Sequence, residues 1–389
     1  MTADIVGDSE LAGAAKRPDR IPPDDQVSNA EEALYVASQW QLIWWKFRKH
    51  KLATIAGPVL AFLYLCAIFA DFLSPTVPTK RYPEYRHAPP SVIRIRDEEG
   101  VWQVPFIYGV RRETDSYTLR RTFVPDTSEK HQLELIVRGE PYKLLGLFRT
   151  DVHLLGAKGA PLFLLGTDDL GRDLFTRILY GSRISLSIGL VGVALTFSIG
   201  MLIGGLSGYF GGVADTVIQR IIDMIVCIPT IPLWMALAAA LPRDWPTVRM
   251  YLGIVVITSI IGWAGLARVV RGKLLSLREE DFCVAARLAG ASDMRIIWRH
   301  LLPSFYSYII VSLTLSIPST ILGETALSFL GLGLQPPAVS WGVLLQGAQN
   351  VVAIGHHPWL LAPTAWIIVT VLMFNFLGDG LRDAADPYK

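Results

Sequence analysis

Residues 281–303 read Asp281-Phe-Cys-Val-Ala-Ala-Arg-Leu-Ala-Gly290-Ala-Ser-Asp293-Met-Arg-Ile-Ile-Trp-Arg-His-Leu-Leu-Pro303. The pattern predicts two short helices around a turn. Ala285, Ala286 and Ala289 give the first helix little side-chain bulk, and Gly290 ends it. Ser292 or Asp293 caps the second, and Pro303 opens the segment that follows. A solvated basic loop has no need of alanines where longer polar side chains would serve an exposed helix. A compact knob of this shape is suited to insertion into a groove on a partner.

The flanks of this stretch set its environment. The chain is 51% apolar and only 18% charged over 389 residues, with a mean hydropathy of +0.39, so the bilayer is the expected solvent. Apolar runs suited to tilted helices fall at 52–73, 184–214, 224–241, 250–267, 301–334 and 360–377. Six spans put both termini on one side. Lys46, Arg48, Lys49 and Lys51 precede the first span, Arg220 precedes the third, and Arg268, Arg271, Lys273, Arg278, Arg287, Arg295 and Arg299 fill the loop 271–303 and its approach. The short loops of the opposite side hold only Arg243 and Arg249, and residues 335–359 carry no Lys or Arg at all. By the positive-inside rule the loop 271–303 and both termini are cytoplasmic.

The resulting expectation is an all-α polytopic membrane protein of six transmembrane helices with a small strand-containing extracytoplasmic insert. Residues 1–30, polar, acidic and rich in Pro, read as a disordered cytoplasmic tail without the apolar core of a cleavable signal peptide. Residues 31–50 read as an interfacial amphipathic helix, on the strength of Trp40, Ile43, Trp44, Trp45 and Phe47 beside the basic cluster. The insert, 74–162, holds β-like runs at 91–96, 101–108 and 133–137. Its basic residues are compatible with an outer location, because long translocated loops escape the charge rule. Residues 163–183 read as a surface amphipathic segment, capped by Thr167 to Asp169, with Leu174, Phe175, Ile178 and Leu179 on one face. A core domain of five spans occupies 184–380, and 381–389 form a second cytoplasmic tail.

Within the spans, Gly200, Gly204, Gly208 and Gly212 recur every four residues and strip one helical face for close helix packing. Arg220, Asp223 and Glu324 lie at span ends or inside the apolar belt, where an isolated charge costs on the order of 3 kcal/mol, so they are candidates for structural pairing or for the lining of a path. Pro229, with Pro232 after it, marks a bend in the third span. No metal site is expected. Asp168, Asp169 and Asp173 are interrupted by Leu170 and Arg172 and lack the closing Glu of a calcium loop, and His356 and His357 have no third ligand. Cys66, Cys227 and Cys283 are too few for a disulfide frame or a Cys-rich metal site. A net charge of +2 implies no nucleic-acid partner.

The stretch 281–303 resembles the coupling loop of ATP-binding cassette (ABC) importer permeases, whose pattern is Glu-Ala-Ala, three residues, Gly, and later Leu-Pro. Ala285, Ala286, Gly290, Leu302 and Pro303 match it, while Val284 stands where the pattern has Glu, so an ionic contact from that position has no counterpart here. Further resemblance, to the C-type permeases of dipeptide, oligopeptide and nickel importers, is carried by residues 166–173, 179–186, 321–334 and 375–387. It covers about 40–73 and 162–389. The resemblance implies the six-helix fold of type I importer permeases and an ATPase-coupling role for Val284, Ala285, Ala286, Ala289, Gly290, Ser292, Asp293, Leu302 and Pro303. It also implies a heterodimer with a second, related permease, two ABC ATPase subunits holding ATP and Mg, and an extracytoplasmic substrate-binding protein. Peptides are the expected cargo, with nickel, glutathione or oligosaccharides as alternatives.

The chain has no phosphate loop of its own: Gly272-Lys273-Leu274 lacks both the hydroxyl and the upstream Gly. It is not expected to be an enzyme or to bind a cofactor. A secondary transporter or channel would carry ion-coupling residues, an inverted repeat or a filter loop. A membrane-embedded enzyme would show a His-Glu-x-x-His or Ser-Lys pairing. The sequence displays neither set of features.

Overall fold

The computed structural model describes residues 39–97, 100–114, 116–117, 121–144, 146–242 and 244–385; the expected tail 1–30 lies outside them. Helix α1, Gln39–Lys49, is followed at once by α2, Lys51–Ile68, and a short α3, Ala70–Leu73. His50 separates the first two, its Nδ1 accepting the Ala53 N–H at 3.2 Å. A sheet of four antiparallel strands follows in the order β1, Arg94–Arg96, β2, Trp102–Thr114, β3, Arg121–Leu144, and β4, Phe148–Ala157. The rest is helical: α4, Leu174–Phe210; α5, Gly212–Cys227; α6, Thr230–Ala239; α7, Thr247–Leu277; α8, Asp281–Leu288; α9, Asp293–Ile296; α10, Leu302–Ser304; α11, Tyr306–Phe329; α12, Trp341–Gln346; α13, Val351–His356; and α14, Ala362–Ala385. The protein is thus mostly helical with a small sheet. Among the described residues, five helices are long and apolar enough to cross a membrane, or six if the bent pair α5 and α6 is one span.

Helix α4 is the hub. One side meets α2 and α11 through Leu60, Leu186, Val193, Ile317 and Ile321, and α14 packs on α2 and α11 to close the cluster with Ile367 and Phe374. The other side meets α7 along a glycine seam. A Cβ on Gly200 would come within 2.9 Å of the Leu266 side chain, on Gly204 within 2.5 Å of the Ala267 carbonyl oxygen, and on Gly208 within 2.8 Å of that of Arg271. Backbones approach this closely only where side chains are missing. Gly212 is not part of the seam. Gly211 and Gly212 both take positive φ, +67° and +65°, which ends α4, and nothing lies within 4 Å of a Cβ at Gly212.

Four expected boundaries move. The surface segment 163–183 is not a separate helix: Asp173 caps α4, accepting the Thr176 N–H at 3.0 Å, and the helix runs 37 residues without a break. Leu174 and Ile178 are buried against Leu344 instead of facing lipid. Thr167 and Asp168 serve another purpose. Asp168 receives Arg172 Nε at 2.7 Å and an Arg177 nitrogen, while the Thr167 hydroxyl accepts the Ala88 N–H at 2.8 Å, clasping the segment that leads into the sheet. The third apolar run, expected as one kinked span, is two helices bent by 89°, because Ile228 is extended and Pro229 cannot donate into the preceding turn. Helix α7 carries Arg268, Arg271 and Lys273 on its final turns, ten residues past the expected end of its span. The insert holds its strands: β2 and β3 outrun the β-like runs 101–108 and 133–137, β1 is only the last three residues of 91–96, and β4 has no counterpart among those runs.

Candidate functional site

Residues 281–304 form a knob at the common end of α4, α7 and α11. Helix α8 stops in a Schellman turn: the Ala291 N–H reaches the Ala286 carbonyl at 3.0 Å, the Gly290 N–H reaches that of Arg287 at 3.0 Å, and Gly290 sits at φ +80°. Ser292 has the extended backbone of an N-cap but makes no side-chain capping bond. Asp293 instead accepts the Tyr209 hydroxyl at 2.5 Å, tying the second helix to the end of α4. The second helix is not free-standing. From Asp293 it continues through a π-helical stretch, Ile297–Leu301, into α10, and after one break at Phe305 into α11. Pro303 has no N–H to offer the Arg299 carbonyl, which accounts for a widened turn just before it.

The knob has two faces. Cys283, Ile296, Ile297, Leu301 and Phe305 are buried against Met201, Tyr209, Val270 and Leu274, so the element is fixed to the helix ends by an apolar core. Burial pushes the Cys283 thiol above its ordinary pKa, which keeps it a neutral packing group. Met294 and Trp298 are exposed at the flank, beside Leu202 and Leu206 of α4, and the outer face of α8 shows Phe282, Val284 and Leu288, with Leu288 84% exposed. Ala285 and Ala289 lie exposed between them, so the surface is apolar and low in relief. An exposed apolar patch on a rigidly held element is the signature of a protein contact. Beneath it, Arg271 makes two bonds to Asp215, at 2.5 and 2.6 Å, joining α7 to α5.

The sequence candidates therefore divide. Val284, Ala285, Ala289, Gly290, Ser292, Asp293 and Pro303 are on the exposed side, Ala286 packs inward, and the backbone of Leu302 lies in α10. Asp223 pairs with Arg268 at 2.7 Å, Arg220 is exposed on α5, and Pro229 stands at the 89° bend. Glu324 is elsewhere: fully buried in α11, it accepts the hydroxyls of Ser340 at 2.7 Å, Ser328 at 2.8 Å and Ser185 at 3.4 Å. That cluster joins three elements, and of its partners only Ser328 left a local signal, the i, i+4 spacing from Glu324, which the sequence reading did not use.

A family model described as "Binding-protein-dependent transport system inner membrane component" matches residues 200–388, and one described as "N-terminal TM domain of oligopeptide transport permease C" matches residues 38–90. The chain is 41% identical to the dipeptide transport system permease protein DppC of Bacillus subtilis (strain 168) over 57% of its own length and 68% of that protein's. It is 38% identical to a putative peptide permease protein of Brucella suis biovar 1 (strain 1330), covering 64% of this chain and 79% of the relative. A glutathione transport system permease protein, GsiD, of Pectobacterium atrosepticum is 43% identical over 57% of this chain and 72% of the relative.

Proposed function

We infer function from one premise: the chain belongs to the binding-protein-dependent transport system inner membrane components, as a C-type permease of the ABC peptide importers. It is a permease subunit, an inner-membrane protein that forms part of a translocation pathway. We propose that it supplies half of that pathway, with the bent pair α5 and α6 serving as one of six spans and both termini in the cytoplasm. The partners in this reading are a related permease, two ATPase subunits that hold ATP and Mg, and an extracytoplasmic binding protein that delivers the cargo. Peptides are the proposed cargo, supported by the relatives from B. subtilis and B. suis. Glutathione, itself a tripeptide, is the second reading, favoured by the P. atrosepticum relative.

The carrying observation is the rigid knob 281–304 with its exposed apolar face and its buried attachment to α4, α7 and α11. When ATP draws the two ATPase subunits together, a knob seated in their groove is displaced. Because its core is continuous with the helix ends, that displacement tilts the spans between inward-facing and outward-facing states. Uptake by the reconstituted complex with binding protein should require ATP inside the vesicle, and di- and oligopeptides should compete with each other for entry. Uptake that proceeds without ATP and follows an ion gradient would replace this reading with a secondary transporter. Competition by glutathione alone would select the second cargo.

A further inference from the structure

The bent pair α5 and α6 takes no part in the apolar core of the knob: no apolar side chain of 212–239 packs with Cys283, Ile296, Ile297 and Leu301 there. Its link to the knob runs through α4 and α7. At one end α5 hangs from α4 by Gly211 and Gly212, both at positive φ, and at the other it meets α6 through the extended Ile228 and then Pro229. Such joints let a helix swing unless something holds its flank. Apolar contact supplies part of the hold, with Ile222 buried against Trp263, Ala264 and Ala267 of α7. Contact of this kind permits sliding, whereas a bidentate ion pair fixes an angle.

That angle is set at Asp215. Arg271 donates to its carboxylate from Nε at 2.5 Å and Nη2 at 2.6 Å, and the same carboxylate accepts the hydroxyl of Ser207 on α4, whose oxygen in turn accepts the Gln219 amide at 3.1 Å. Three helices therefore meet at one carboxylate. The side chains of Asp215 and Arg271 are 13% and 28% exposed, whereas those of the neighbouring pair, Asp223 and Arg268, are 51% and 47% exposed and share a single bond. Both donors to Asp215 also stand where the knob is attached. Val270 and Leu274, on either side of Arg271, are buried in the core of the knob, and the Arg271 carbonyl is the one that closes on Gly208. Ser207 lies two residues before Tyr209, whose hydroxyl donates to Asp293 of the knob at 2.5 Å. A displacement of the knob that carries the last turns of α4 and α7 thus carries Ser207 and Arg271, and Asp215 passes it to α5.

We propose that the joint of Arg271, Asp215 and Ser207 is the positioning element that makes the bent pair follow the coupling knob, turning nucleotide-driven displacement of the knob into movement of α5 and α6. This rests on the function proposed above. The test compares Arg271→Gln, Asp215→Asn, their combination, Arg271→Lys and the control Arg268→Gln in the assembled importer, reconstituted in vesicles with its binding protein. ATP hydrolysis is followed beside uptake of a labelled mixture of di- and tripeptides, glutathione among them. In Arg271→Gln and in Asp215→Asn the peptide taken up per ATP should fall by roughly twofold to thirtyfold, while hydrolysis stimulated by the binding protein stays within about twofold of wild type. The combined variant should be no worse than the worse single one, because both changes remove the same joint. Arg271→Lys, which keeps the charge without the paired donors, should lie between, and Arg268→Gln should match wild type. Unchanged uptake per ATP in both single variants, an equal loss in Arg268→Gln, or hydrolysis that falls in step with uptake would overturn the joint. Wild type taking up the mixture on an ion gradient without ATP would overturn the proposed function itself, and the joint with it.

Discussion

Replacing Gly290 by proline should abolish ATP-driven uptake while leaving the chain inserted in the membrane. Gly290 takes φ +80°, and its N–H closes the turn on the Arg287 carbonyl. Proline fixes φ near −65° and has no N–H, at a cost of about 3 kcal/mol or more, equivalent to roughly a hundredfold loss in the population of the folded knob. The long apolar helices are remote from this change, so membrane yield should hold. Gly290→Ala separates geometry from bulk: nothing lies within 4 Å of a Cβ there, so only left-handed strain of roughly 1–2 kcal/mol remains, and an intermediate phenotype is expected. ATPase stimulation and uptake, measured beside membrane yield, decide the matter. Wild-type uptake in Gly290→Pro would remove the docking role.

The second large effect is on the fold. In Gly204→Val the first added carbon alone would lie 2.5 Å from the Ala267 carbonyl oxygen and 2.8 Å from its Cα, and backbone on a packed helix cannot yield as a side chain does. Overpacking of this kind costs about 3 kcal/mol, and α4 must part from α7. Gly205→Ala, one residue on, is the matched control, since its nearest neighbour would be Leu274 at 4.0 Å and alanine favours a helix. Gly204→Val should aggregate or melt well below wild type in detergent, and Gly205→Ala should match or exceed it. Equal melting of the two variants would show that the seam contributes nothing special.

The knob was legible because its determinants are local. Alanine spacing, a glycine that only a left-handed turn requires, and a proline after it all act within a few residues. The start of α4 was not, because Thr167, Asp168 and Asp173 are equally good caps on paper. Only the folded chain decides, by committing Asp168 to Arg172 and Arg177 and leaving Asp173 free to accept Thr176. The bent pair was half legible. Pro229 announced a bend, but Asp215, Gln219, Arg220 and Asp223 lower the hydropathy of α5, so the apolar run seemed to begin inside that helix. The partners of Glu324 were largely invisible, since Ser340 and Ser185 come from 16 and 139 residues away. Distance in sequence hides such clusters.

The account depends on the apolar face of the knob touching the ATPase. A single cysteine replacing Leu288, the most exposed large apolar side chain of that face, can be bridged to a nearby thiol with a short bifunctional maleimide in the assembled importer. The expected result is a covalent adduct to an ATPase subunit that wild type, with its own Cys66, Cys227 and Cys283, does not give, and a yield that changes when ATP is added. Labelling of Leu288→Cys by a membrane-impermeant thiol reagent from the extracytoplasmic side, with no ATPase adduct, would contradict it.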